Sequence, residues 1–204
     1  MLRRLIIPIL TICTLTACAQ ASIIPFLVGS PVDLGGGQFA FNYDISLSGD
    51  ERMDPNATNS NSCFGGPCNP AGTFFTIYDI AGFVSANTST LGWSESDQST
   101  GVTPLNAPVP DGSLPNVTFT YTGPIVTGPA DISGFEIIST LNATANGNFS
   151  SQATNNTTDL SGTTDFVFGS VSVPASAVPE PSSSAVLLSG GLIAFAFVRR
   201  RLRR

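Results

Sequence analysis

Acidic side chains are the main candidates for chemistry in this chain of 204 residues, which has no histidine and whose eight basic residues are all arginine. Without histidine, the Ser-His and Cys-His schemes of nucleophilic catalysis are excluded. The remaining enzymatic hypothesis is a two-carboxylate glycosidase. Its candidate residues are Asp44, Asp79, Glu95, Asp97, Asp131 and Glu136. No spacing selects a pair among them, so we predict a protein that is not an enzyme, with no catalytic residue and no cofactor.

Two cysteines, Cys63 and Cys68, are separated by four residues in the middle of the chain. In an oxidising compartment this spacing predicts a local disulfide, which would close a loop of about six residues and stabilise the fold by about 2 kcal/mol. A zinc site needs more thiol or imidazole ligands than the two cysteines of residues 22–177 supply. A redox-active pair is the alternative, but its typical spacing is C-x-x-C.

Oxygen donors are grouped at Asp50, Glu51, Asp54 and Asn56. Such oxygens are ligands for Ca²⁺, but the group lacks the spacing and the glycine of an EF-hand. We therefore expect a solvated loop and no metal site. Over residues 22–177, 13 acidic residues stand against one arginine, a formal charge of −12. This charge excludes nucleic acid as a partner, because binding to phosphates needs clustered Lys and Arg.

The segments that would position these side chains are predicted to be strands. Apolar and polar residues alternate most clearly from Phe39 to Leu47, which indicates a half-buried strand. Further strands are predicted at 73–80, 82–86, 91–95, 116–122, 132–141, 147–153 and 163–173. Long loops are predicted at 49–72 and 100–115. The fold class is therefore all-β, an antiparallel β-sandwich of about seven to nine short strands over residues 22–177.

Aromatic side chains dominate the predicted core, because alternating aromatics in strands are usually buried. The candidates are Phe39, Phe41, Phe74, Phe75, Phe83, Trp93, Phe119, Tyr121, Phe135, Phe166 and Phe168. An exposed strip of some of them, able to stack on sugars, is the alternative and would indicate a carbohydrate-binding module.

Residues 1–21 have the layout of a secretory signal peptide, with two arginines near the start, an apolar stretch over 5–15 and Ala-Gln-Ala at 19–21. An apolar signal helix is expected there, and signal peptidase would cleave after Ala21. A rival pattern overlaps it. Leu-Thr-Ala-Cys at 15–18 is similar to a bacterial lipobox, in which Cys18 would be lipidated and become the first residue of a surface lipoprotein.

The other end of the chain, residues 178–204, joins a Pro-Glu-Pro tripeptide, an uncharged apolar run over 185–198 and a basic cluster. As a helix the run spans roughly 21 Å, against a hydrocarbon core of roughly 30 Å. It is predicted to be a short C-terminal transmembrane helix. A stop-transfer cluster follows, which places the C-terminus in the cytoplasm and the rest of the protein outside. Its residues are Arg199, Arg200, Arg201, Arg203 and Arg204.

This C-terminal segment resembles the PEP-CTERM sorting domain of Gram-negative bacteria. The resemblance rests on three parts in a fixed order: Val178, Pro179, Glu180 and Pro181, then the apolar run, then the arginine cluster. The resemblance implies that these four residues are recognised by exosortase and that insertion in the inner membrane is transient. It also implies removal of the tail and release to the cell surface or an exopolysaccharide matrix, with exopolysaccharide as a candidate partner. The chain after Ile132 resembles the distal part of other PEP-CTERM proteins, which implies that Ser172, Val173 and Pro174 end the folded domain. We therefore expect an exported surface or matrix protein whose molecular activity the sequence does not specify.

Overall fold

The computed structural model describes residues 23–56, 72–98, 113–157 and 162–176, and every regular element in these ranges is a β-strand. The signal helix expected at 1–21 and the transmembrane helix expected at 178–204 lie outside them. Within the described ranges, no helix has the length and apolarity to cross a bilayer. The twelve strands are β1 (Ile23–Leu27), β2 (Val32–Gly35), β3 (Gln38–Leu47), β4 (Glu51–Met53), β5 (Phe74–Ile77), β6 (Phe83–Thr88), β7 (Trp93–Gln98), β8 (Asn116–Tyr121), β9 (Val126–Thr127), β10 (Ala130–Ser139), β11 (Ala143–Asn155) and β12 (Thr164–Ala175).

Five strands form the first antiparallel sheet, in the order β1-β3-β10-β6, with β2 also paired to β3. The alternation that predicted β3 is observed directly, because Phe41, Tyr43, Ile45 and Leu47 are buried and the residues between them are half-buried. One face of this sheet therefore supplies half of an apolar core.

Seven strands form the second antiparallel sheet, in the order β7-β8-β5-β11-β4-β9, with β12 paired to β11. Its long strands β11 and β12 pair without a register shift from Ala143↔Ala175 to Thr154↔Thr164. From Phe149 onward β11 is buried on both faces. Two pairs of polar side chains on one face hydrogen-bond to each other, Thr76 with Thr118 at 2.8 Å and Tyr78 with Ser150 at 2.7 Å. On the same face, Gln152 Oε1, Thr154 Oγ1 and Thr164 Oγ1 are buried and have no hydrogen-bond partner among the described residues.

The two sheets share one core, at the centre of which four aromatic rings meet. Phe135 of the first sheet lies 5.0–5.1 Å, centroid to centroid, from Phe75, Trp93 and Phe119 of the second, all edge-to-face. A β-bulge at Gly134 sets this contact, because the extra residue turns Phe135 inward while Ser133 faces out. Gly134 has φ +100°, and a Cβ there would lie 2.6 Å from the Ser89 hydroxyl, so only glycine fits. We call these four rings the aromatic centre.

All eight predicted strands are present, so the all-β class and the two antiparallel sheets are confirmed. The number of strands was underestimated, because β1, β2, β4 and β9 were not predicted. Each of these is at most five residues long, and alternation over so few residues is not distinctive. The folded region ends at Ala175, one residue beyond the predicted limit at Pro174.

The predicted core is correct for seven of its eleven aromatic residues and wrong at Phe168, which is 55% exposed. Its neighbour Val167 is buried instead, since the β11–β12 ladder places Val167 opposite Ser151 on the inward face. Phe39, Phe83 and Phe166 are half-buried. Three buried aromatics, Tyr43, Tyr78 and Phe149, were absent from the prediction.

Candidate functional site

The short strand β4 lies inside the segment 49–72 that was predicted to be a solvated loop, so that prediction is wrong at this point. β4 pairs with the end of β11 through Arg52↔Thr154 and Glu51↔Asn155, and with β9 on its other side. Its backbone is also held by Glu51 N–H donating to Ser48 C=O at 3.2 Å and by Gly128 N–H donating to Glu51 C=O at 2.9 Å. Tertiary pairing therefore makes a strand of a polar sequence.

Alternation along β4 sends Glu51 and Met53 to the inner face, and the Glu51 side chain is 0% exposed. Both of its carboxyl oxygens are buried, and within the described residues no N–H or hydroxyl group donates to either one. The only basic residue of the body, Arg52, points to the opposite face and pairs with Asp54 at 3.4 Å. Glu51 is therefore a buried acid without a direct counter-ion.

Asp165 of β12 is the polar neighbour of Glu51. The β11–β12 ladder places Asp165 opposite Ala153, and the β4–β11 ladder places Glu51 opposite Asn155. Because residues 153 and 155 are on the same face of β11, the two acids also share that face. Asn155 Nδ2 donates to Asp165 Oδ2 at 3.0 Å, and Asn155 Oδ1 accepts from the backbone N–H of Thr157 at 2.9 Å. Asn155 thereby fixes the Asp165 carboxylate.

Burial raises the pKa of Glu51 to about 8. The hydrogen bond between the Glu51 and Asp165 carboxyls and the negative charges of Asp165 and Asp50 raise the pKa further, while the charge of Arg52 lowers it. A carboxyl pair in this position holds either a shared proton or a bound cation, because two adjacent carboxylates repel each other. Glu51 itself is sealed from solvent, which is unsuited to catalysis on a bound substrate. We call Glu51 and Asp165 the carboxyl pair.

The structure separates the four residues that the sequence analysis considered as a calcium-binding group and expected to form a solvated loop. Asp54 Oδ1 accepts from the backbone N–H of Asn56 at 2.9 Å, and Asp50 accepts from the Ser48 hydroxyl. Glu51 turns to the interior. Across the described ranges no cluster of three or more acidic or thiol side chains is arranged to hold a metal. Asp165 had no local sequence signal, because its partner lies in a distant strand.

The six carboxylates considered for glycoside hydrolysis lie on three separate parts of the surface. On the outer face of the first sheet, Asp44 accepts from Ser133 at 2.8 Å and Glu136 accepts from Asn87 at 2.6 Å. Asp131 is exposed on the same sheet. Glu95 and Asp97 are exposed on β7 of the second sheet, and Asp79 follows β5. The fold does not gather the six into one group.

Both ends of the folded body are fastened to the core. The Ser151 hydroxyl donates to the C=O of Ile23 at the start of β1, and the Tyr43 hydroxyl donates to the C=O of Ser172 near the end of β12 at 2.8 Å. Tyr43 is fully buried, and burial raises the pKa of its hydroxyl. The regular structure continues to Ala175, and three residues separate it from the Pro-Glu-Pro tripeptide at 179–181.

Several predicted site residues lie outside the described ranges. These are the cysteine pair Cys63 and Cys68, the lipobox cysteine Cys18, the sorting residues Val178, Pro179, Glu180 and Pro181, and the arginines Arg199, Arg200, Arg201, Arg203 and Arg204. The disulfide, the lipid attachment and the stop-transfer role of the arginines stay predictions.

Comparison with known proteins supplies the identity of the tail. No curated protein matches the chain. A family model described as the PEP-CTERM protein-sorting motif matches residues 177–201, a range that includes all four predicted sorting residues and the first three arginines of the basic cluster. The match begins two residues after β12 ends. The chain thus carries a PEP-CTERM protein-sorting motif and is an exported protein of the kind that exosortase sorts.

Proposed function

We propose that this protein is a non-enzymatic β-sandwich of the cell surface or the exopolysaccharide matrix, released there when exosortase removes its tail. The observation that carries the proposal is the position of the sorting motif. It starts at residue 177, and the last strand of the body ends at Ala175. Cleavage in the motif would leave every strand of the body intact.

The pairing of β12 supports the proposal that the tail is cleaved while the body stays intact. Twelve consecutive residues of β12 pair with β11, and Tyr43 holds Ser172 near its end. A protease needs an extended, accessible chain, whereas a paired strand is protected. Cleavage is therefore expected beyond Ala175 and not within the body.

At the other end, cleavage by signal peptidase after Ala21 would leave Ser22 one residue ahead of β1, which begins at Ile23. Processing at Cys18 would instead leave five residues ahead of β1 and a lipid at the N-terminus. The mature N-terminus separates these two routes of export.

The proposal of a non-enzymatic role is supported by the placement of the acids. A glycosidase needs two carboxylates in one accessible cleft, whereas the six carboxylates considered for this role lie in three separate groups. In the carboxyl pair, Glu51 is buried and cannot contact a substrate. A formal charge of −12 over residues 22–177 favours solubility outside the cell and leaves anionic surfaces as poor partners.

A carbohydrate-binding module is the second candidate, and one observation favours it. Phe168 is 55% exposed and Phe26 is 42% exposed, on β12 and β1 respectively. Exposed rings can stack on sugars, but the other aromatic residues in the described ranges are buried or half-buried. A glycan array on the exported protein tests this candidate, with Phe168→Ala as the variant that should lose binding.

Cell fractionation tests the leading proposal. We expect the native protein in the surface or matrix fraction, and a variant with Pro179→Ala, Glu180→Ala and Pro181→Ala in the inner-membrane fraction. Glu95→Gln, an exposed change in the body, is the matched control and should fractionate as the native protein does. Native protein retained in the inner membrane, or the triple variant in the matrix, would contradict the proposal.

A further inference from the structure

The carboxyl pair brings two acids together, one of them fully buried, and no cationic side chain of the described residues is paired with it. Glu51 is 0% exposed, no N–H or hydroxyl group of the described residues donates to its two oxygens, and its hydrogen-bonding neighbour is the Asp165 carboxyl. Buried carboxylates are ordinarily paired with a cation or hydrogen-bonded, because an isolated buried charge is strongly destabilising. The pair therefore holds either a shared proton or a bound cation between its members.

Among the described residues, no neighbouring side chain supplies a positive charge to the pair. Arg52 faces the opposite side of β4 and pairs with Asp54 at 3.4 Å. The amide of Asn155 donates to Asp165 and not to Glu51. Asp50 adds negative charge and accepts from Ser48. The chain contains no lysine or histidine that could serve instead.

We propose that Glu51 and Asp165 form a calcium site at this end of the core, with Asn155 holding Asp165 in place. Glu51 would bind from the buried side. Asp165, which is half-buried, would bind from the side open to solvent, where the ion could enter. Two carboxylates supply the charge, and neutral oxygens and water complete the six to eight ligands that Ca²⁺ takes.

Calcium fits the pair better than other common ions. Magnesium needs a near-ideal octahedron and keeps most of its water, which a buried carboxylate does not favour. Zinc prefers thiolate and imidazole ligands, and the described residues bring none to this site. With two carboxylates, the affinity expected is that of extracellular calcium modules, a Kd of about 10⁻⁴–10⁻³ M. The inference is independent of the sorting proposal, since it concerns only the body.

Thermal unfolding of the exported protein, first stripped with EDTA, tests the site. Addition of 10 mM CaCl₂ should raise the Tm by about 3–8 °C over NaCl of equal ionic strength. The same concentration of MgCl₂ should raise it less. Glu51→Gln and Asp165→Asn keep the shape of each side chain and should each abolish the calcium-dependent rise.

Two controls make the test decisive. Glu95→Gln, on the exposed edge strand β7, should keep the full calcium-dependent rise. Glu51→Gln should melt cooperatively in EDTA at or above the native Tm, which shows that its lost response is not a loss of folding. A native Tm that does not respond to CaCl₂ would overturn the site and leave a shared proton as the occupant. Retention of the full rise by either Glu51→Gln or Asp165→Asn would overturn it as well.

Discussion

The folded body and the sorting tail depend on their residues in different ways. In the body, structure depends on many contacts between distant residues, such as Phe135 with Phe75, Trp93 and Phe119. In the tail, the family match follows a few residue types in a fixed order over residues 177–201. The contrast teaches that changes in the body should have graded effects on stability, whereas changes in the tail should have all-or-none effects on processing.

The largest expected effect is on processing. Replacing Pro179, Glu180 and Pro181 together by alanine should abolish removal of the tail and leave the unfolding midpoint of the body unchanged. The reason is that every strand of the body ends before the motif begins. Intact mass and thermal unfolding of the same sample measure both quantities. A variant that is still cleaved would contradict the requirement of the Pro-Glu-Pro residues for removal of the tail.

The next effect is on the aromatic centre. Phe135→Ala should lower the free energy of unfolding by about 3–5 kcal/mol, because it leaves a cavity among three rings that cannot collapse freely. Phe168→Ala is the matched control, since the same atoms are removed from a ring that is 55% exposed, and it should change stability by less than about 1 kcal/mol. Denaturant unfolding measures both. Equal losses in the two variants would contradict the position assigned to Phe168.

Removing the charge of the carboxyl pair should stabilise the body. The pKa of Glu51 is about 8 in the folded protein against an ordinary value of 4.5. Between these values the folded state holds a proton that the unfolded state releases, so in EDTA stability falls as the pH rises from about 4.5 to 8. Glu51→Gln should remove this dependence and add on the order of a few kcal/mol above pH 8.

Denaturant unfolding at pH 5 and pH 8.5 measures the effect of Glu51→Gln, and Glu95→Gln is the control with an exposed acid. The groups that act on Glu51 are Asp165, Asp50 and Arg52. A native protein whose stability rises between pH 5 and pH 8.5, or a Glu51→Gln variant with the same pH dependence as the native protein, would show that Glu51 is ionised and solvated.

The smallest effect is expected where the body meets the tail. Tyr43→Phe removes the hydrogen bond to Ser172 C=O and should lower stability by about 1 kcal/mol. Its sharper readout is hydrogen exchange, which should increase at the end of β12 and stay unchanged in β7. A uniform increase across both strands would indicate that Tyr43 does not fasten β12 in particular.

Much of the fold could be predicted from local patterns, because strands such as β3 alternate over ten residues. The burial of the polar part of β11 could not be predicted from sequence. Ser150, Ser151 and Gln152 are 0% exposed, although Ser and Gln are typical of a solvent-facing strand. Their burial depends on hydrogen-bonded partners such as Tyr78 and Ile23. The sequence alone does not place those partners.

The same limit applies to the candidate site. Glu51 and Asp165 belong to different strands, and β4 is only three residues long. The grouping of Asp50, Glu51, Asp54 and Asn56 by proximity in sequence was misleading, because alternate residues of a strand face opposite sides. The sorting motif was predictable for the opposite reason, since recognition of a linear motif needs only the order of its residues.

The central claim is that the tail is a temporary signal and the body is the lasting protein. Intact-mass measurement of the protein isolated from its native cells tests this most directly. We predict a mature form that lacks the residues after about Glu180 and begins at Ser22. A mature form that still ends at Arg204 would contradict the claim.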